Sequence, residues 1–235
     1  MPTTAFSQSQ AKEKALLLDE ILFRTYGGPF LFFSEKDPLS ELIASMLSHR
    51  TKNRVTGQAY QNLRRTLPTW EEVRDAPVEI IQQAISLVTY PEVKAPRIKE
   101  TLRLITERNE GVLSLHLLEN RPVEEARIWL EQLPGVGAKT SAATLNFSNL
   151  RLPALVVDTH HHRVAIRVGI VPAKASLDAA ARLLESYLPK DWDGQRVYDS
   201  HQGFMRHGQQ ICHWERPECE RCVVRDYCDY YARMK

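Results

Sequence analysis

The 235-residue sequence carries 31 Lys and Arg against 29 Asp and Glu, a net charge of +2, with 43% hydrophobic and 26% charged residues. These proportions exclude bulk disorder. The charge balance excludes a global positive field, so any contact with phosphate has to come from locally placed groups. No apolar run approaches the ~20 residues that span a bilayer, and residues 1–10 are polar with no apolar core of a signal peptide. The sequence predicts a soluble, intracellular chain that begins with a flexible tail over about the first ten residues.

Apolar residues recur at three- and four-residue spacing along most of the chain, the period of amphipathic helices. Ala15, Leu16, Asp19, Leu22 and Phe23 predict a first helix, and Leu39, Leu42, Ile43, Met46 and Leu47 a second. Val55, Ala59 and Leu63 predict a third, with Asn53 as its N-cap. Further helices are predicted near 70–76, 77–87, 95–109, 123–132, 138–147, 159–168, 176–188 and 194–211, punctuated by Pro and Gly. Leu155-Val156-Val157 is strand-like but too short to found a sheet. The fold class is all-α, with a boundary between two lobes near residues 150–153, where a polar stretch interrupts the helices.

All four cysteines fall near the C-terminus, as Cys212-x6-Cys219-x2-Cys222-x5-Cys228. In a reducing compartment two disulfides are disfavoured, and four clustered thiols with none elsewhere point to a metal site. Structural zinc usually takes two close pairs separated by a longer span. Here only the middle pair has the two-residue gap, and the ligands occupy one continuous loop. That spacing favours an iron–sulfur cluster over zinc without deciding between them.

A second constellation is Leu133-Pro134-Gly135-Val136-Gly137 between two helices, with Lys139 on the first turn of the second. Two glycines two apart allow a tight turn and a close approach to a partner. The helix start offers unpaired amides and the positive end of its dipole, which suits a phosphate. A plain helix–helix turn with glycines for packing is the competing reading.

The stretch LPGVGAKTSAATL resembles the helix–hairpin–helix element of the endonuclease III-like DNA glycosylases, and VVDTHHHRVAIRVG resembles that family's Val-Asp-Thr-His segment. The cysteine spacing is also the family's, and LIASMLSHRTKN looks like a divergent form of its Leu-Leu-Ser-Ala-Gln segment. The resemblance implies a helix–hairpin–helix glycosylase fold with a cleft for DNA between its two helical lobes. Residues 31–152 would form a six-helix barrel domain, and residues 1–30 with 153–235 a domain holding a 4Fe-4S cluster on Cys212, Cys219, Cys222 and Cys228. The cluster's role would be structural.

The resemblance places the nucleophile at Lys139 and the essential carboxylate at Asp158, one from each lobe. A free amine can attack C1′ of a damaged nucleotide and form a Schiff base, from which β-elimination cuts the strand. A carboxylate can take the amine proton and stabilise charge developing on the sugar. An ordinary lysine, with a pKa near 10.4, has only about one amine in two thousand uncharged at neutral pH. A helix N-terminus favours the neutral amine and Asp158 opposes it. Asp158 also suits the N-cap of helix 159–168.

Gly135, Val136 and Gly137 of the hairpin, together with His160, are candidate DNA contacts. Arg50, flanked by His49, stands where the family holds the glutamine that fills the gap left by an extruded base. Tyr90 lies in the loop expected to supply the second wedge, where an aliphatic residue is common. These departures put the lesion spectrum in doubt and leave the lyase chemistry alone. His161 and His162 read as helix surface or phosphate contacts, since consecutive helical residues point about 100° apart. In the cysteine loop Arg216 is accompanied by Glu215 and Glu218, so Arg206, Arg221 and Arg225 become candidate substitutes for contact with DNA.

The expected function is a bifunctional DNA glycosylase and AP lyase acting on oxidised pyrimidines or abasic sites. The expected partner is double-stranded DNA containing such damage, the expected location cytoplasmic and nucleoid-associated, and the expected state a monomer. The alternatives are a monofunctional mismatch or base glycosylase, or a lesion-binding protein that has lost base excision.

Overall fold

The computed structural model describes residues 7–234. Among them are twelve α-helices: α1 (Gln8–Tyr26), α2 (Pro38–Ser48), α3 (Asn53–Thr66), α4 (Trp70–Asp75), α5 (Val78–Ala84), α6 (Pro91–Arg108), α7 (Val123–Glu131), α8 (Ala138–Phe147), α9 (Thr159–Val168), α10 (Leu177–Tyr187), α11 (Gly194–Gln210) and α12 (Asp229–Ala232). No strand occurs among the described residues, and the chain is all-α. The chain forms two compact units, one of residues Ser34–Leu152 and one of the described residues on either side of it.

In the unit of residues 34–152, α8 is the central element. Every side chain from Thr140 to Phe147 is buried, and the helix packs against α2 and α7. α2 starts where Asp37 accepts the amides of Leu39 and Ser40, both at 3.0 Å, with Pro38 at its first position. Leu39, Leu42, Ile43, Met46 and Leu47 are all buried along it, each worth ~1.5–3 kcal/mol on removal from water. α6 lies against α4 and α5 and presents Ala95, Ile98, Leu102 and Ile105 to the core.

In the other unit, α11 is central and packs against α1 and α9. Close approach is possible because Gly208 has no side chain. A Cβ there would lie 2.8 Å from His160 Cβ and 3.0 Å from the His160 carbonyl oxygen. The core gathers Leu18 and Leu22 from α1, Val164 and Val168 from α9, Leu184 from α10 and Phe204 from α11, with three of the four cysteines packed at its edge. Residues 154–157 are buried but form no strand, and the Leu155 amide donates to Glu185 Oε1 at 3.0 Å instead of to a sheet partner.

Several expected boundaries differ. α1 begins at Gln8, because Ser7 and Gln10 form a reciprocal capping box, so the expected tail is helical from Gln8 onward; the rest of that expectation lies outside the described residues. Lys52, not Asn53, is the N-cap of α3, and no side chain caps it. α6 begins four residues before the expected 95, with Pro91 serving as a helix starter at the first turn. His161 is buried in the core, stacked on Phe204 at 4.4 Å between ring centroids. It shares the i, i+3, i+4, i+7 register of Val164, Ala165 and Val168, which overrides its polarity.

Candidate active site

The hairpin between α7 and α8 positions the site in the unit of residues 34–152. Gly135 adopts φ +78, and a Cβ there would meet Arg97 Cδ at 3.2 Å. The Val136 side chain is buried and its amide donates to the Leu133 carbonyl at 3.1 Å, closing the turn. Gly137 is the N-cap of α8, with no side-chain cap and open space where a Cβ would stand. Among the described residues the amides of Gly137, Ala138 and Lys139 have no acceptor, so three N–H groups at a helix start are open to an anion.

Lys139 is exposed at the second position of α8 and lines a recess of ≈ 460 Å³ with Met46, His49, Arg50, Tyr90, Val93, Lys94, Arg97 and Gly135. Its ammonium has no hydrogen-bond or ion-pair partner among the described residues. The second lysine of the recess differs. Lys94 is buried, and its Nζ donates to the carbonyls of Leu47 and His49 at 2.7 and 2.8 Å and to Thr51 Oγ1 at 3.1 Å. Burial lowers its pKa to about 8, but all three donors are occupied, so it has no amine to offer. His49 is half-buried, with Nε2 2.8 Å from Thr140 Oγ1. Burial, reinforced by the charges of Lys139, Lys94 and Arg97, holds its pKa below the ordinary histidine range and keeps the ring neutral at pH 7. Met46, Val93, Lys94 and Arg97 are the recess residues that the sequence does not assign to a site, and Lys94 and Arg97 are the charged pair among them. A lysine in the apolar register of Ala95, Ile98 and Leu102 was the one available signal for Lys94.

In the other unit, Asp158 is the N-cap of α9 and accepts the His161 amide at 2.8 Å. Burial works against its ionisation, but the His201 side chain, the His161 amide and the His161 and His160 rings outweigh it, and the carboxyl is held below its usual range. His160 is half-buried, its Nδ1 3.1 Å from Arg163 Nη2. His162 Nε2 lies 3.0 Å from the Ala175 carbonyl oxygen. The candidate basic residues near the cysteines are engaged within the unit. Arg221 pairs with Glu218 at 2.5 Å, Arg225 with Glu220 at 3.4 Å, and Arg206 stacks over Phe30 at 4.2 Å.

All four cysteines are free thiols lining one recess with Arg167, Val168, His207 and Tyr230 among others. Three polar groups reach the sulfurs, one of them the Arg167 carbonyl, which accepts from Cys228 Sγ at 3.4 Å. Arg167 Nη1 donates to Cys212 Sγ at 3.3 Å, and His207 Nε2 lies 3.4 Å from Cys222 Sγ while Nδ1 meets Tyr26 Oη at 3.0 Å. Burial pushes the Cys222 thiol up to about 11 and raises Cys219. A positive guanidinium and an imidazole aimed at sulfur suit a group that holds the thiols as thiolates.

The family described as HhH-GPD superfamily base excision DNA repair protein matches residues 43–190. Endonuclease III of Thermotoga maritima is 32% identical over 199 residues, covering 85% of this chain and 86% of that protein. Endonuclease III of Escherichia coli K12 is 30% identical over 197 residues, covering 84% and 86%. Among solved structures, a trapped endonuclease III–DNA covalent intermediate superposes with a TM-score of 0.79 at 22% identity, over 95% of this chain and 99% of that one. A thermostable thymine-DNA glycosylase superposes with a TM-score of 0.76 at 22% identity, over 94% and 98%.

Proposed function

The chain belongs to the endonuclease III-like branch of the HhH-GPD superfamily of base excision DNA repair proteins, and from that premise we propose that it is a bifunctional DNA glycosylase and AP lyase. Its substrates are oxidised pyrimidines or abasic sites in duplex DNA. The observation that carries this reading is the Lys139 amine, exposed beside an uncapped hairpin and unengaged in a recess whose other lysine is fully occupied.

Each residue then has a chemical task. The open amides of Gly137, Ala138 and Lys139 hold a backbone phosphate and set the register of the strand. The Lys139 amine, having given up a proton, attacks C1′; the damaged base leaves with a proton and the sugar ring opens to a Schiff base. Loss of the 2′ proton expels the 3′ phosphate, and water releases the amine. Asp158 serves as the carboxylate that accepts the amine proton and stabilises positive charge on the sugar. Its carboxyl, held below the usual range, is ionised at neutral pH before the attack and so is free to accept. The exposed lysine argues against a monofunctional glycosylase, which has no use for an amine at that place.

Cys212, Cys219, Cys222 and Cys228 hold a 4Fe-4S cluster in this reading. When bound, the cluster supplies a covalent tie across the C-terminal loop rather than a reacting group. Among the described residues no three side chains are placed to hold a single metal ion. No helix among the described residues is long and apolar enough to cross a membrane. Borohydride trapping on abasic duplex DNA tests the proposal: a covalent adduct forms with the native chain and is lost in Lys139→Gln.

A further inference from the structure

The ammonium of Lys94 has no part in the chemistry above, yet it sits at the end of α2 with three acceptors. α2 stops without a left-handed glycine, so Lys94 satisfies carbonyls that the helix end would otherwise leave open. The same hydrogen-bonded set extends to a second loop. Thr51 Oγ1 accepts the Thr89 amide at 3.2 Å, and the Thr89 hydroxyl donates to the Arg50 carbonyl at 2.9 Å. One buried lysine thereby ties the loop after α2 to the loop before α6.

Both tied loops carry a residue in costly backbone. Arg50 has φ +54 and Tyr90 φ +59, a region where glycine or asparagine sits at lower cost. Among the described residues, Glu110 and Arg151 are the other non-glycine residues with positive φ, and both stand at other turns. The Arg50 and Tyr90 side chains are exposed and line the recess that holds Lys139. Capping a helix end accounts for Lys94 alone. It does not account for two long, exposed side chains held in strained backbone on either side of it.

We propose that Lys94 is a positioning residue that holds Arg50 and Tyr90 as one pre-set pair, which enters the gap left by an extruded nucleotide and meets the base opposite. The inference rests on the base-excision reading above. With both loops fixed in advance, insertion requires no further ordering of the backbone at the moment of binding. Base-opposite recognition then depends on Lys94, although Lys94 itself touches no base.

The test uses the full chain and a duplex with tetrahydrofuran, an unreactive abasic analogue, opposite 2-aminopurine. Insertion of a side chain into the gap changes the stacking, and therefore the fluorescence, of 2-aminopurine at saturating protein. In Lys94→Met, which keeps the aliphatic stem, and in Thr51→Val, which removes the hydroxyl that accepts from both Lys94 and the Thr89 amide, the amplitude falls to that of an Arg50→Ala, Tyr90→Ala double variant. The Kd for the duplex rises less than about tenfold, because phosphate contacts supply most of the affinity. Full amplitude in both folded variants overturns the proposal, as does an amplitude loss accompanied by an equal loss of affinity and of Tm, which is what a merely structural lysine gives. Should Lys94→Met fail to fold, Thr51→Val decides, because it removes the atom through which Lys94 reaches the second loop. Failure of borohydride trapping in the native chain would remove the lyase reading alone and leave this readout in place.

Discussion

Replacing Gly137 by serine adds a side chain where the structure has open space, at the N-cap of α8 with an ordinary φ of −113°. Serine caps helices slightly better than glycine, so stability rises by a few tenths of a kcal/mol and the Tm moves by no more than about 2 °C. The hydroxyl also stands over the amides assigned to the phosphate, competes for them, and blocks the approach. Loss of one charge-assisted hydrogen bond is worth ~1.5–3 kcal/mol, or about 10- to 150-fold in Kd. Gly135→Ala behaves in the opposite way. Its φ of +78 costs an L-residue about 1–2 kcal/mol, and Arg97 Cδ at 3.2 Å has to shift, so the Tm falls by about 2–8 °C. Thermal melts and fluorescence anisotropy with a tetrahydrofuran duplex at one fixed salt concentration separate the two effects. If Gly137→Ser binds this duplex as tightly as the native chain does, the hairpin amides do not hold a phosphate and the assignment of this element fails.

Asp158→Asn keeps an N-cap acceptor and removes the charge, so turnover drops by about 10²–10⁴ and the Tm at neutral pH falls only by what the charge contributes; Asp158→Ala loses a further ~1 kcal/mol with the cap. Because the folded carboxyl titrates below the ~3.9 of an unfolded one, its contribution is present above that pH and fades as pH falls through the folded value. Acid unfolding of Asp158→Asn is therefore less steep below about pH 4, as circular dichroism would record. Gly208→Ala forces a methyl against His160 backbone at 3.0 Å, which cannot yield as a flexible side chain would, and destabilises by about 1–3 kcal/mol in a denaturant melt. Cys222→Ser lowers iron and acid-labile sulfide together in the purified chain, whereas a zinc site would show neither.

The parts of the molecule legible in the sequence were those whose signal is local. The cysteine run, the Leu133–Gly137 turn with Lys139 behind it, and Asp158 ahead of α9 all lie within short spans, and the helices announce themselves by their period. The α6 start lies four residues before its apolar period begins, because Pro91 reads in sequence as a breaker and in the structure is the first-turn residue. The capping box of Ser7 and Gln10 is visible in sequence, but the turn it opens, Gln8-Ser9-Gln10, holds no apolar residue to mark it as helix. The 100° step between consecutive helical residues rules out three histidines on one ion but does not say which of them faces the core, and His161 shares the buried register of Val164, Ala165 and Val168. Lys94 and Arg97 were missed for a different reason: the contacts that matter run from α6 to the end of α2 and to the hairpin, some forty residues away in either direction, and no local pattern encodes such convergence. Backbone strain at Arg50 and Tyr90 is likewise invisible, since nothing in either residue type asks for a left-handed conformation.

Borohydride trapping of the native chain, Lys139→Gln and Lys94→Met on abasic duplex DNA bears most directly on the central claim. The native chain gives a covalent adduct, and proteolysis with mass spectrometry places the reduced sugar on Lys139. No adduct forms with Lys139→Gln, while Lys94→Met still gives one at Lys139, because the Lys94 donors are occupied within the protein. An adduct that survives Lys139→Gln, or one mapped to Lys94, would contradict the account.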